Sequence, residues 1–595
     1  STYLMKKTTE KQICLIPIAL WLVVIPLIVK LKFYANPLVD YPWYSNEVNL
    51  ADFFLYYKSV FTTITGAIML AVLIWQISKM RRKDTLINTD TRMFLPVGIY
   101  LFLAIVSSLF SKYGYFCAHG MPDQFETLWN IIAYIVAMVY CYFVVTYHDA
   151  DKPILGITFV GAALVGLICV LQYFKIDIYR MIYTGEGYSF SFEEGVVYGP
   201  FYNINYVGFY TLLLVPLFIA LFICCKKTVV RVITALLTVA LLIALVGAES
   251  LAADISIVVV AVFAVFFLLL KNAKSKKILW LPVGVLVAGV IGVCVIALPR
   301  VNAYLAASNT EKTDLENIYT NDDNVEIDYR GQKLYIQMEQ KDDALTFNLY
   351  DQDQNPISCE YQSSADGEYY YYTINDDRFS TITLTPAVIT DDPTTYGFMV
   401  SVDEKGWYFT NELADDGTYY YYNDLGKICK LTPDTPSADF EPLVNKSSLA
   451  NGRGYIWNKT MTILKDYIFV GSGADTFALV YPNGDFVDKY NNGYDNMIIT
   501  RPHCMYLQMA VQSGVLSLIC FLIFYIWYFI SSLRLYYKQR LNNPLVAAGF
   551  GILLGTMGYM ISALANDSTI TVAPVYWGLL GIGIGINHRI RSSAS

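Results

Sequence analysis

Only four of the 595 residues are histidine, so imidazole chemistry has few places to sit. His503 has the richest surroundings, in the stretch Arg501-Pro502-His503-Cys504-Met505-Tyr506-Leu507-Gln508. An imidazole with an ordinary pKa near 6.5 can take a proton from a hydroxyl at neutral pH. A guanidinium two residues away can grip a phosphate through two parallel N–H donors. A second guanidinium, Arg453, opens Gly452-Arg453-Gly454-Tyr455-Ile456-Trp457. The plain alternative is that Arg501 and His503 only anchor the chain at a membrane edge, where both residue types are common. His119 and His503 have no cluster of Cys or Asp at ligand spacing, so no metal is expected. The chain contains no Gly-x-x-x-x-Gly-Lys-Ser/Thr loop, no Gly-x-Ser-x-Gly elbow and no His-Glu-x-x-His. No cofactor and no nucleic-acid partner are expected.

The elements that must position these residues are mostly apolar. Twelve continuous apolar runs are long enough, or nearly so, to cross a hydrocarbon core of ~30 Å as helices. They are Ile13–Val29, Tyr57–Ile77, Phe94–Phe110, Leu128–Val145, Ile154–Phe174, Tyr206–Cys225, Val230–Gly247, Ile255–Leu270, Ile278–Pro299, Val515–Ile530, Leu545–Ala565 and Pro574–Ile586. With the N-terminus inside, 21 basic residues fall on the inner side. The short outer loops hold six: Lys30, Lys32, Lys58, Lys112, Lys175 and Arg180. That asymmetry predicts cytoplasmic termini and an extracytoplasmic segment from about 300 to 514. The first run lacks a small-residue cleavage site and reads as a retained helix rather than a signal peptide.

The net charge of −8 divides unevenly. Residues 303–450 carry 28 Asp+Glu against 9 Lys+Arg, leaving +11 on the rest of the chain. In this acidic block, short Tyr-, Thr- and Ile-rich runs alternate with Asp, Asn and Gly, which predicts a small β-domain. Asp366-Gly-Glu-Tyr-Tyr-Tyr-Tyr372 returns as Asp416-Gly-Thr-Tyr-Tyr-Tyr-Tyr422, suggesting two related meanders. The tyrosine rows suit strand packing or stacking on sugar rings. Asp351-Gln-Asp353-Gln-Asn355 begins like a calcium loop, but Pro356 replaces the turn glycine and no bidentate Glu follows. Cys359 and Cys429 lie where an oxidising compartment would permit a disulfide.

Four regions follow: 1–302, a membrane domain of nine helices; 303–450, an acidic β-rich insertion; 451–514, an amphipathic helix and the histidine loop; and 515–595, three further membrane helices. The amphipathic helix, resting on the membrane or on the protein body, is read from Trp457, Met461, Leu464 and Ile468 on one face, and Pro502 is expected to open a helix running into the membrane at Gly514.

The order of these features resembles the bacterial O-antigen ligase and O-antigen polymerase family of multi-pass membrane glycosyltransferases. The resemblance rests on Arg453 with Trp457, Gly471 and Gly473 before Phe477, and His503 with Tyr506, Leu507 and Gly514. A second stretch, Gly199-Pro-Phe201-Tyr-Asn203-Ile-Asn205 through Gly208, is similar to the family's Gly-x-Phe-x-Asn-Pro-Asn segment. A third runs from Gly120 through Glu126 to Tyr134. The sequence departs from the family at Cys504, where Asn is usual, at Val197-Tyr198, where Arg is common, and at Glu249–Asp254, where Ser-Arg is common.

The resemblance implies an all-α polytopic fold of about 12 helices, similar to C-type glycosyltransferases, with an inserted extracytoplasmic β-rich domain. It implies metal-independent, inverting transfer of a polyprenyl-diphosphate-linked oligosaccharide to a glycan, lipid or protein acceptor at the outer face of the bacterial cytoplasmic membrane. His503 would be the general base, and Arg453 and Arg501 would hold the diphosphate. Arg180, Arg300 and Glu126 would be supporting residues. The competing class is a non-catalytic transporter or scaffold with an outer β-domain.

Overall fold

The computed structural model describes residues 2–86, 91–183, 185, 192–273, 284, 303, 306, 313–341, 344–391 and 393–594. Among them, nine helices are long and apolar enough to cross a membrane. In chain order these are α1 (Thr9–Leu27), α2 (Tyr56–Arg82), α4 (Leu128–His148), α5 (Asp151–Tyr173), α6 (Ile204–Cys224), α7 (Thr228–Ala248), α8 (Leu251–Asn272), α11 (Val515–Lys538) and α12 (Pro544–Ser562). The shorter apolar helix α3 (Phe94–Leu109) lies between α2 and α4. A final helix, α13 (Ala573–Ala594), matches the expected twelfth run but is diluted by glycines and ends in His588-Arg589-Ile590-Arg591. Apart from Gly284, the expected span Ile278–Pro299 lies outside the described residues, as does Arg300.

Helix starts are written locally. Thr127 and Asn130 form a reciprocal capping box at α4, and Asn203 caps α6 by accepting from Asn205 N at 2.9 Å. Asn543 caps α12, with Pro544 at its first position. Glycines set how closely the inner helices approach. A Cβ on Gly555 would lie 2.2 Å from the Leu213 carbonyl oxygen, and one on Gly581 would lie 2.1 Å from that of Met138. Such near-contact of backbones is how helices associate when lipid is as apolar as their side chains. Consequently α4, α6 and α12 are enclosed by protein along most of their length, whereas α7 and α8 keep most of theirs outward.

The bundle has two polar ends. At one, Lys79 pairs with Glu10, Lys11 Nζ donates to the Asp149 carbonyl (2.9 Å), and Arg589 pairs with Asp149 (3.3 Å) and Asp151. Lys271 Nζ donates to the carbonyl of Tyr537 (2.9 Å) at the same end. At the other end, a ribbon of β1 (Lys32–Ala35) and β2 (Asn49–Asp52) precedes α2. Asp52 there accepts from the amides of Leu55 (2.9 Å) and Tyr56 (2.7 Å) and so starts the helix.

The acidic block is β-rich as expected, in two antiparallel meanders. Five strands, β3 (Leu315–Thr320), β4 (Val325–Tyr329), β5 (Gln332–Lys341), β6 (Ala344–Asp351) and β7 (Pro356–Ile357), form one sheet. Seven form the other: β8 (Cys359–Ser363), β9 (Tyr370–Ile374), β10 (Thr383–Asp391), β11 (Thr394–Val402), β12 (Lys405–Thr410), β13 (Tyr420–Tyr422) and β14 (Ile428–Cys429). Both contribute to one apolar core around Leu334, Ile336, Phe398 and Trp407. The sequence repeat does not mark the two meanders. Both copies lie in the seven-stranded sheet, each as a turn leading into β9 or β13.

Cys359 and Cys429 are free thiols on opposite edge strands of that sheet. Six strand spacings of ~4.8 Å separate them along an uncurled sheet, far beyond disulfide reach. The acidic Asp351 loop is a structural turn. Its carboxylate accepts from the amides of Asp353 (3.0 Å) and Asn355 (2.9 Å) and from Arg378 (3.1 Å).

The insertion is docked on the membrane body. Asn423 Nδ2 donates to the Pro42 carbonyl (2.7 Å) and Lys427 Nζ to that of Tyr41 (2.8 Å), gripping the β1–β2 connection. Lys405 pairs with Asp495 (2.7 Å) and Asp424 (2.6 Å).

Candidate functional site

His503 has φ +51°, a left-handed conformation that costs a non-glycine residue of order 1–2 kcal/mol. The strain holds it outside the helix it was expected to join. That helix, α10 (Met505–Ser513), starts two residues later and stops at Gly514 (φ +102°), and the span α11 begins afresh at Val515. A Cβ on Gly514 would lie 2.9 Å from the Phe469 carbonyl oxygen, which explains glycine at the break.

The turn between α12 and α13 holds the histidine loop. The Asp567 carboxylate accepts from Cys504 N at 3.2 Å, and its Oδ2 stands 3.4 Å from His503 Nδ1. Met505 N donates to the carbonyls of Asn566 (2.8 Å) and Ala563 (3.0 Å), while Ser568 N donates to Gln508 Oε1 (2.8 Å). Asp567 therefore ties the residue just before α10 to the α12–α13 turn and places a carboxylate at the N-terminal end of that helix. Where the resembled family has Asn, Cys504 contributes its backbone amide and a buried thiol. Nothing in the structure explains the choice of cysteine.

Arg453 opens α9 (Arg453–Ile463), which is pinned to the histidine loop by Trp457 Nε1 donating to the Pro502 carbonyl (2.9 Å). Of the two seats expected for the apolar face, membrane or protein body, the protein body takes other residues. Trp457, Met461 and Leu464 are half-buried and Ile468 is exposed, whereas Tyr455, Ile456, Asn458, Lys459 and Thr460 are buried. Lys459 fits inside because Asp439 (2.8 Å) and Asp488 (2.9 Å) pair with it. The Arg453 guanidinium is half-buried and has no hydrogen-bond or ion-pair partner among the described residues. Burial lowers its pKa, and the Asp567 charge works against that.

Arg501 binds the hydroxyl of Tyr206, in the first turn of α6, and donates from Nη2 to the Asp123 carbonyl (2.9 Å). Burial opposes its charge, but Tyr206, Asp567, Tyr202 and Asp123 more than offset this and raise its pKa. Glu126 is buried behind Asp567. Its Oε2 accepts from the Tyr134 hydroxyl (2.9 Å) and from the Ser568 hydroxyl (3.0 Å). Burial raises its pKa to about 7, against the two hydrogen bonds that favour the carboxylate. Burial likewise raises Asp567 to about 6, although Arg501, Cys504 N and Arg453 favour its ionised form. Asp475 accepts from Met121 N at 2.5 Å and orders the Gly120–Glu126 loop; burial raises its pKa well above the carboxylate range.

Burial and the guanidiniums of Arg501 and Arg453 lower the His503 pKa to about 3. The ring is 41% exposed, so water screens part of that depression, and the Asp567 carboxylate opposes it. The imidazole is neutral at pH 7 in either case. With Nδ1 toward Asp567, Nε2 is left to accept a proton.

Four of the six residues singled out from the sequence thus meet: His503, Arg453, Arg501 and Glu126. Arg180 is paired instead with Asp177 (3.2 Å), whose carboxylate also binds the Tyr198 hydroxyl, at the position where the resembled family often has arginine. The tip between α7 and α8 contributes Ser250, which donates to Asn205 Oδ1 (2.7 Å) near the start of α6. Sequence reasoning missed Asp567, Tyr206 and Asp475. The available signal for Asp567 was the polar triplet Asn566-Asp567-Ser568 in a short turn expected on the same side as His503. Among the described residues, no group of three or more His, Cys, Asp or Glu is arranged to hold a metal ion.

The fold is that of a multi-pass membrane protein carrying a separate β-rich region, with a polar centre at one end of the helical bundle. No protein-family model matches the chain, and no curated protein matches it at significant similarity.

Proposed function

We propose that the protein is a membrane glycosyltransferase that transfers or polymerises a polyprenyl-diphosphate-linked glycan onto an acceptor hydroxyl at the outer face of a bacterial cytoplasmic membrane. The observation that carries this reading is the meeting of a neutral, carboxylate-oriented imidazole with two guanidiniums, one of them unpartnered, at one end of the bundle. The basic excess at the opposite end supports placing the site outside, with both termini inside.

His503 Nε2 takes the acceptor proton as the acceptor oxygen bonds to the anomeric carbon from the face opposite the leaving group. The bond from that carbon to the diphosphate oxygen breaks, and the sugar inverts. The leaving diphosphate takes the electron pair, and Arg453 and Arg501 match its growing charge. Asp567 stabilises the imidazolium until its proton passes to solvent. Ligase and polymerase activities share this chemistry and differ only in the acceptor.

The test is His503→Ala in the native host, scored for surface-glycan chain length and attachment at matched expression. Loss of long chains identifies a polymerase, and long chains left unattached identify a ligase. If both properties are unchanged, the assignment of His503 fails.

A further inference from the structure

Two helices that begin beside the candidate site end together at the far end of the bundle. α11 runs from Val515 to Lys538 and α13 from Ala573 to Ala594. At ~1.5 Å per residue, their last turns lie roughly 30–35 Å from the histidine loop. Between them is a cleft of about 550 Å³, lined mainly by Trp527, Ile530, Ser531, Arg534, Lys538 and Arg591.

Among the described residues, nothing compensates its charge. Arg534, Lys538 and Arg591 are exposed, have no hydrogen-bond or ion-pair partner among the described residues, and no carboxylate lines the cleft. Neighbouring bases are satisfied differently: Arg589 pairs with Asp149 and Asp151, and Lys271 caps carbonyls at the end of α11.

The cleft is also graded in polarity. Positions 527, 531, 534 and 538 share one face of α11, giving Trp, Ser, Arg and Lys over roughly 16 Å. Trp527 and Ile530 keep 43% of their surface exposed. An acyl chain would lie beside the indole and Ile530, and a phosphodiester would lie among the three cations. A free anion would use the cations but leave the apolar half uncovered. Basic clefts between spans suit anionic lipid headgroups, and Trp527, near the middle of α11, lies at the depth of an acyl chain.

We infer that this cleft binds a phospholipid with an anionic headgroup, its phosphate held by Arg534, Lys538 and Arg591. This rests on the cleft alone and not on the transferase reading.

Native mass spectrometry of the full-length chain tests it, using phosphatidylglycerol, phosphatidylcholine and inorganic phosphate as separate probes. Wild type is expected to prefer phosphatidylglycerol by about tenfold or more. The exposed triple variant Arg534→Gln/Lys538→Gln/Arg591→Gln is expected to bring that preference within about twofold, and Lys226→Gln/Lys227→Gln to leave it intact. Should the triple variant misfold, Arg591→Gln alone is expected to weaken phosphatidylglycerol binding about fivefold. Equal binding of both lipids by wild type overturns the inference, as does a preference that survives the triple variant. Displacement of phosphatidylglycerol by inorganic phosphate at matched concentration also overturns it, in favour of a soluble-anion site.

Discussion

Replacing Asp567 by Asn is the sharpest test of how the site works. The change keeps shape and an acceptor for the Cys504 amide but removes a charge 3.4 Å from His503 Nδ1. Two unit charges at that distance attract by about 5 kcal/mol at an effective dielectric of ~20. The imidazole is 41% exposed, and halving the figure for solvent screening leaves about 2–3 kcal/mol. In the proposed reaction that attraction exists only when His503 is an imidazolium, late in proton transfer, so its loss would fall on turnover and not on donor binding. Asp567→Asn should lower kcat roughly 30- to 150-fold with little change in KM for the donor. In wild type, activity should fall as pH drops through about 6, where Asp567 takes up a proton. In Asp567→Asn that acid limb should disappear, because His503 remains neutral over the same range. The assay is transfer from a synthetic polyprenyl-diphosphate sugar in proteoliposomes. Turnover within about threefold of wild type, or an acid limb retained in the variant, would refute the role given to Asp567.

Two further outcomes concern the scaffold. Burial raises Glu126 from 4.5 to about 7, so its contribution to stability is full below pH 4.5 and is lost as pH rises through about 7. Glu126→Gln keeps an acceptor for Tyr134 and Ser568 and cannot ionise, so its melting temperature should vary less between pH 5 and 8 than that of wild type, as calorimetry in detergent would reveal. Gly581→Ala sets a methyl group 2.1 Å from the Met138 carbonyl oxygen, and should cost about 1–3 kcal/mol as α4 and α13 are forced apart. Gly156→Ala, with nothing within 4 Å, should be neutral or slightly stabilising in the same measurement.

His503, Arg501 and Arg453 were legible in the sequence because a few polar residues at fixed spacing stand out against apolar runs. The strands were legible because alternation writes their burial directly, as in β4 and β5. Asp567 was not, because its role depends on two turns far apart in sequence meeting at the start of α10. Which residues of α9 pack on the protein body was not legible for a different reason. Apolar periodicity marks a core face only while charges stay outside, and Lys459 is inside because two aspartates accompany it. The cysteine pairing was undecidable from sequence because spacing along the chain does not give strand order across a sheet.

The Glu126–Ser568 hydrogen bond joins residues 442 positions apart. At a translation rate of about 5–20 residues per second, the Gly120–Glu126 loop waits roughly 20–90 s between its own synthesis and the arrival of its partner. During that interval the nascent chain, already threaded into the membrane, carries Glu126 without the Ser568 hydroxyl that binds it, and His503 itself emerges only near the end. Ribosome progress thus acts as a timer on assembly of the polar centre: a stalled or truncated chain has the Gly120–Glu126 loop without the turn that completes it.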